Sequence, residues 1–145
     1  MQKLLTEGIG HTEFKDSELG RIPESWEIKS LNQISDLTSS KRIYLSDYVD
    51  SGIPFFRGKE VSLLKNREKI EDLLFISENK YEEIKVKYGV PSKNDILITA
   101  VGTLANTYRV PNNDKFYFKD GNLIWLKDIT ENSIFIEYLM NFRKK

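Results

Sequence analysis

Residues 95–126, DILITAVGTLANTYRVPNNDKFYFKDGNLIWL, decide the fold. Asp95 to Val101 is a run of aliphatic and β-branched residues, the composition of a mostly buried strand, and Gly102 breaks it. Asn106 to Val110, Phe116 to Phe118 and Leu123 to Leu126 read as further short strands. Between them stand Pro111-Asn112-Asn113-Asp114 and Lys119-Asp120-Gly121-Asn122, residues that supply the fixed or left-handed backbone a turn needs. Successive strands with turns this tight predict a mainly antiparallel meander.

Outward from this stretch the periodicity changes. Ser77 caps a predicted helix that runs to Tyr88, with Tyr81, Ile84 and Tyr88 at i, i+3 and i+7 and Gly89 placed to end it. Ile53 to Arg57 reads as a strand with Pro54 near its start, where a missing N–H does least harm, and Gly58 opens a turn. Residues 41–52 read as a loop. Ser30 caps a predicted helix over Leu31 to Leu37, and Trp26-Glu27-Ile28 alternates as a short strand. Leu4-Leu5 ends a helix stopped by Gly8 and Gly10, and a helix from Ser133 puts Ile134, Tyr138 and Phe142 on one stripe. The expected class is α+β (mixed α/β): a twisted, mainly antiparallel sheet flanked by a few helices. The expected organisation is an entry segment over 1–22, one domain over 23–132 and the start of a helix over 133–145.

A chain of 145 residues, 39% hydrophobic and 12% aromatic, is long and apolar enough to bury one core and is not a disordered tail. No apolar run approaches the length of a membrane span, and the N-terminus lacks the apolar stretch and cleavage site of a signal peptide. A cytoplasmic protein without a membrane partner is expected. The absence of cysteine excludes disulfides, thiolate zinc sites and thiol nucleophiles, and one histidine, His11, cannot build a His-rich metal site. His11 itself reads as a polar turn residue.

Catalytic signatures fail in turn. Gly58-Lys59 lacks the upstream glycine of a phosphate-binding loop, because position 53 is Ile, and Gly8-x-Gly10 lacks the third glycine of a dinucleotide loop. No Asn-Pro-Pro-Tyr-like tetrapeptide of an adenine methyltransferase is present. Glu83-Ile84-Lys85 has a nuclease-like spacing but lies in the helical pattern, with no Pro-Asp partner upstream. No catalytic residue and no metal or cofactor is assigned to this chain.

Formal net charge is zero, yet its distribution is uneven. Residues 37–70 hold seven basic and four acidic side chains, and residues 85–119 hold six and two, with acidic stretches between and around them. A fold that gathers the two basic segments would offer a positive face to a polyanion; the alternative is ordinary solvated charge. Phosphates are held by Lys, Arg, Ser, Thr, Asn and backbone N–H groups, and base edges are read by Arg, Lys, Asn and Gln. Three stretches supply this mixture: Ser39-Ser40-Lys41-Arg42 with Tyr44; Arg57-Gly58-Lys59; and Thr99 to Arg109. The candidate DNA-binding residues are therefore Lys41, Arg42, Tyr44, Arg57, Lys59, Thr99, Thr103, Asn106, Thr107, Tyr108 and Arg109. Gly102 either lets a phosphate approach or marks a bend, and Tyr44, Tyr108 and Tyr117 are either stacking platforms or core rim.

The N-terminal stretch Met1-Gln2-Lys3-Leu4-Leu5-Thr6, Gly8-Ile9-Gly10-His11-Thr12, Phe14-Lys15, then Gly20, Ile22-Pro23 and Trp26-Glu27, resembles type I restriction–modification specificity subunits where the central spacer helix meets the second target-recognition domain. Gly52 to Arg57 resembles the family's first sheet motif, and Asp95 to Thr99 with Gly102-Thr103 its strand-turn signature. Asn94 and Ala105 depart from it, standing where the family has glycine. The resemblance implies a non-catalytic domain that reads one half of a split site in double-stranded DNA. It also implies partners: a methyltransferase (modification) subunit, restriction subunits and a second recognition domain. S-adenosylmethionine, ATP and Mg would belong to those partner subunits. The competing reading is a protein-interaction module that docks methyltransferase or sister subunits with little DNA contact.

Overall fold

The computed structural model describes residues 2–100 and 106–142. The chain forms two compact units, Met1–Ser30 and Leu31–Lys145. In the first, helix α1 (Gln2–Thr6) gives way to Gly8 and Gly10, both at positive φ, as the sequence predicts. A side chain on Gly8 would meet the His11 ring at 2.6 Å, and His11 stands edge-on to Trp26 at 6.0 Å between ring centroids. His11 is therefore an aromatic partner of Trp26 rather than a simple turn residue. The later part of the entry segment is a hairpin of β1 (Phe14–Ser17) and β2 (Gly20–Pro23), while Trp26 to Ile28 forms no strand. Arg21 lies over the Phe14 ring at 4.6 Å, so part of this hairpin's cohesion is a cation–π contact that strand propensity does not register.

The second unit carries, in order, α2 (Leu31–Ile34), β3 (Asp36–Thr38), a 3-10 turn (Leu45–Asp47), β4 (Tyr48–Val49), β5 (Ile53–Phe56), α3 (Gly58–Lys65), β6 (Leu74–Ile76) and α4 (Glu78–Tyr88). It continues with β7 (Ile96–Thr99), β8 (Thr107–Arg109), β9 (Tyr117–Phe118), β10 (Leu123–Lys127) and α5 (Ser133–Phe142). Two four-stranded sheets result, ordered β3-β10-β7-β8 and β4-β6-β5-β9. The class is α+β with mainly antiparallel pairing. Its connectivity departs from a simple meander: β7 pairs with β8 as read, but β9 leaves to run parallel to β5, and β10 returns between β7 and β3.

Alternation along the strands explains the layers. Phe56 and Phe118 of one sheet meet Leu97, Leu123 and Trp125 of the other in a core that Val61 of α3 also enters. Their neighbours Phe55 and Tyr117 point the opposite way, onto Tyr81 and Ile84 of α4. Ile96 and Leu126 face Ile136 of α5, with Ile34 at the margin. No helix among the described residues is long and apolar enough to cross a membrane.

Several elements differ from expectation for identifiable reasons. The helix at Leu31 stops at Ile34, because Leu37 is taken into β3 opposite Leu126. Gly58 begins α3 instead of a turn. Ser77 caps α4 as read, accepting from the Lys80 N–H at 3.2 Å, and Gly89 ends it at φ +81°, but Tyr88 faces outward. On α5 the apolar stripe of Ile134 and Tyr138 is the outer one. Ser133 and Ile136 are buried, whereas Ile134 is 60% and Tyr138 41% exposed, with the Tyr138 ring stacked on Phe142.

Two positions test this architecture. Gly52 sits at φ +153°, and a Cβ there would lie 2.4 Å from the Ile76 carbonyl oxygen across the β5–β6 pair. Gly52→Ala should destabilise the fold by on the order of 1–3 kcal/mol, read as a lower denaturation midpoint. Asp95 is buried, and its Oδ2 accepts from Trp125 Nε1 at 2.9 Å and from the Ser92 N–H at 3.0 Å. Burial pushes the Asp95 carboxyl above the ordinary carboxylate range, against the bonds from Ser92 and Trp125 that favour the charged form. A folded-state value raised in this way stabilises the fold below the unfolded carboxylate range and loses that contribution as pH rises through it. Asp95→Ala, which strands the indole N–H, should cost about 1–3 kcal/mol. Asp95→Asn keeps an acceptor, and thermal melts should show wild type gaining on this variant as pH falls through the Asp95 titration.

Candidate nucleic-acid interface

The parallel pairing of β5 with β9 places two cations at one end of the sheet. Phe56 lies opposite Phe118, and the Lys119 N–H donates to the Phe56 carbonyl at 2.9 Å, so Arg57 and Lys119 leave their strands side by side. Arg57 then meets the start of α3. Its backbone N–H donates to Glu60 Oε2 at 2.8 Å, while its Nε and Nη2 donate to Oε2 at 3.0 Å and Oε1 at 2.6 Å. Burial pushes the Glu60 carboxyl up, but the bonds from the Arg57 side chain and backbone outweigh it and hold the group below its ordinary range. The same carboxylate holds the Arg57 guanidinium above its usual value.

Residues 39–48 pass close to that end. Ser39 Oγ donates to the Leu123 carbonyl at 3.1 Å, and the Lys41 backbone N–H donates to the Tyr117 hydroxyl at 2.6 Å. The Lys41 ammonium lies 4.9 Å over the Tyr88 ring. Arg42 donates through Nε to Asp120 at 3.1 Å but keeps its side chain 68% exposed. Tyr44 and Leu45 form an exposed tip whose shape is fixed by the Tyr44 N–H on Asp47 Oδ2 at 2.9 Å, with Asp47 in turn paired to Lys80. Burial raises the Tyr48 phenol, and the charges of Arg57, Asp120 and Asp47 all act on it, which places this tyrosine among them. The Arg42–Asp120 pair and Arg57 thus both act on Tyr48, and Lys119 is the chain neighbour of Asp120. Lys59, one residue into α3, is exposed and carries no ion pair among the described residues.

The third stretch divides. Thr99 and Thr107 are buried: Thr99 Oγ1 accepts from the Asn106 N–H at 2.9 Å, and Thr107 Oγ1 donates to Asn141 at 3.0 Å. Both hydroxyls face inward and serve the fold. Tyr108 packs against the central core, and burial raises its phenol. Arg109 is occupied by Glu137 of α5, with Nε 3.4 Å from Oε2, and by Asn94 Oδ1 at 3.2 Å. Asn94 adopts φ +76°, a conformation that asparagine tolerates. Asn106 is half-buried and donates to Ser62 Oγ of α3 at 3.3 Å. Thr103 and Gly102 lie outside the described residues.

The two basic segments are interleaved, through β5 on β9 and α3 on β8. Much of their charge is nonetheless answered locally. Lys85 pairs with Glu82, Lys87 with Glu83, Lys115 with Glu78 and Glu82, and Arg109 with Glu137. Glu83 and Lys85, the nuclease-like pair, therefore each engage another partner along α4. No group of three metal-binding side chains occurs among the described residues. Sequence reasoning missed Glu60 and Asp120. The spacing Arg57-x-x-Glu60 at a helix start, where a Glu reaches back to the N-cap N–H, was the available signal for the first.

No family model matches the chain. It is similar to a Haemophilus influenzae protein described as a type I restriction enzyme specificity subunit, 32% identical over 91% of this chain and 32% of that protein. It is also similar to the MjaVIII type I restriction enzyme specificity subunit of Methanocaldococcus jannaschii, 33% identical over 61% of this chain and 21% of that protein. The chain thus spans about a third or less of the length of these curated relatives. By sequence, the chain is thus similar to a domain-sized part of type I restriction enzyme specificity subunits.

Proposed function

We propose that this chain is a sequence-reading module for double-stranded DNA that acts within a cytoplasmic type I restriction–modification assembly. It recognises one half of a split site and leaves methylation and cleavage to modification and restriction subunits, where S-adenosylmethionine, ATP and Mg would bind. A second recognition domain would read the other half. The observation that carries this reading is the grouping of Arg42, Arg57 and Lys119 at one end of the β5–β9 pair, with exposed Tyr44 and Lys59. Loops and strand ends that carry cations and an aromatic, seated on two rigid sheets, suit backbone contacts that position and base contacts that specify. The candidates that face outward are Lys41, Arg42, Tyr44, Arg57 and Lys59, with Asn106 at their edge.

Partner docking is the second reading, and one observation favours it as a companion to the first. Helix α5 turns Ile134, Phe135 and Tyr138 outward, a stripe suited to a helix of a modification or sister subunit. Light scattering on mixtures with those subunits tests it: a complex lost in Ile134→Asp supports docking, and no complex with wild type removes it.

Fluorescence anisotropy with duplex DNA, for the chain alone and with its modification subunit, tests DNA reading. Affinity should fall steeply with salt as counterions are released. Arg42→Ala and Lys59→Ala should each weaken binding similarly across sequences and reduce the salt slope by about one. No binding to any duplex at low salt, in either setting, would overturn this reading.

A further inference from the structure

The Arg57–Glu60 pair has more order than a helix start requires. A guanidinium has two edges that can each grip a pair of acceptors: a side edge formed by Nε–H and one Nη2 hydrogen, and an end edge formed by Nη1 and the other Nη2 hydrogen. Glu60 takes the side edge, at 3.0 and 2.6 Å. Nη1 has no protein acceptor among the described residues, so the end edge keeps its donors. The Glu60 side chain is 2% exposed, whereas that of Arg57 is 38% exposed. The carboxylate is thus a fixed internal anchor, held also by the Arg57 backbone N–H, and the guanidinium is the part of the pair that meets solvent.

We propose that Glu60 is a positioning residue that locks Arg57 with its end edge outward, to grip the N7 and O6 acceptors of one guanine in the major groove. The inference rests on the DNA-reading function proposed above. Two parallel N–H donors match those two guanine acceptors, and no other base presents both in that groove. A pre-oriented fork also avoids the entropy of freezing a long side chain on binding. Exposed Lys59, and Arg42, which Asp120 holds through Nε alone, are left for phosphates.

The test begins with selection of preferred sequences from a random duplex pool by the wild-type chain. Each guanine of the selected site is then replaced in turn by 7-deazaguanine, which removes the N7 acceptor and leaves base pairing intact. One such replacement should weaken wild-type binding by about five- to 150-fold. Glu60→Gln and Arg57→Lys should bind the guanine and 7-deazaguanine duplexes alike. Arg57→Lys keeps the positive charge and an ion pair with Glu60, so it guards against a Glu60→Gln variant that fails to fold, and thermal melts check both. A selected site whose every 7-deazaguanine form is tolerated by wild type overturns this inference and leaves DNA reading standing. The same holds if Arg57→Lys keeps the full N7 sensitivity. A pool that yields no preferred sequence overturns the DNA-reading function itself.

Discussion

The parallel contact between β5 and β9 joins Ile53–Phe56 to Tyr117–Phe118 across about sixty intervening residues, and most of the second unit depends on it. Loop closure of that length is unfavourable until the contacts it brings together repay it. Here they are large aromatics. Phe56 and Phe118 enter the core between the sheets, and Phe55 and Tyr117 enter the one beneath α4. The pairing therefore joins both clusters in one step, and α3, β6 and α4 all lie within the loop that it closes. The same contact places Arg57 beside Lys119, so the candidate interface is a direct product of a long-range strand pairing.

This dependence explains what could be read from residues alone. Strands β5, β7, β8 and β10 and helix α4 are specified locally, by β-branched runs, turn residues and a Ser77 cap, and all were legible. The partner of β9 was not, because nothing in Phe116-Tyr117-Phe118 distinguishes pairing with a sequence neighbour from pairing with a distant strand. Leu31, Ile34 and Leu37 satisfy a helical period, yet Leu37 finds a better place opposite Leu126. Tertiary pairing won over local pattern. On α5 two apolar stripes compete, and only the position of Ile96 and Leu126 decides that Ile136 turns inward.

The candidate interface was legible in residue type more than in role. Lys41, Arg42, Tyr44, Arg57 and Lys59 reach the surface, as their polar, turn-rich surroundings suggested. Thr99 and Thr107 do not, because strand alternation turns them into the interior, where they bond to Asn106 and Asn141. Arg109 carries the same charge as Arg42, yet Glu137 and Asn94 both engage it. A charge census along the chain cannot see such pairings, which arise between elements far apart in sequence.

Asn141 offers a different consequence. A single side-chain oxygen accepts from Lys65 Nζ at 2.8 Å and from Thr107 Oγ1 at 3.0 Å, and so ties α3, β8 and α5 at one atom. Glu137, one turn earlier on α5, grips the Arg109 backbone N–H and side chain. The terminal helix is thereby geared to the helix that orients Arg57. Any sideways displacement of α5 would therefore load this junction and be transmitted through α3 to the helix start that Arg57 and Glu60 hold together.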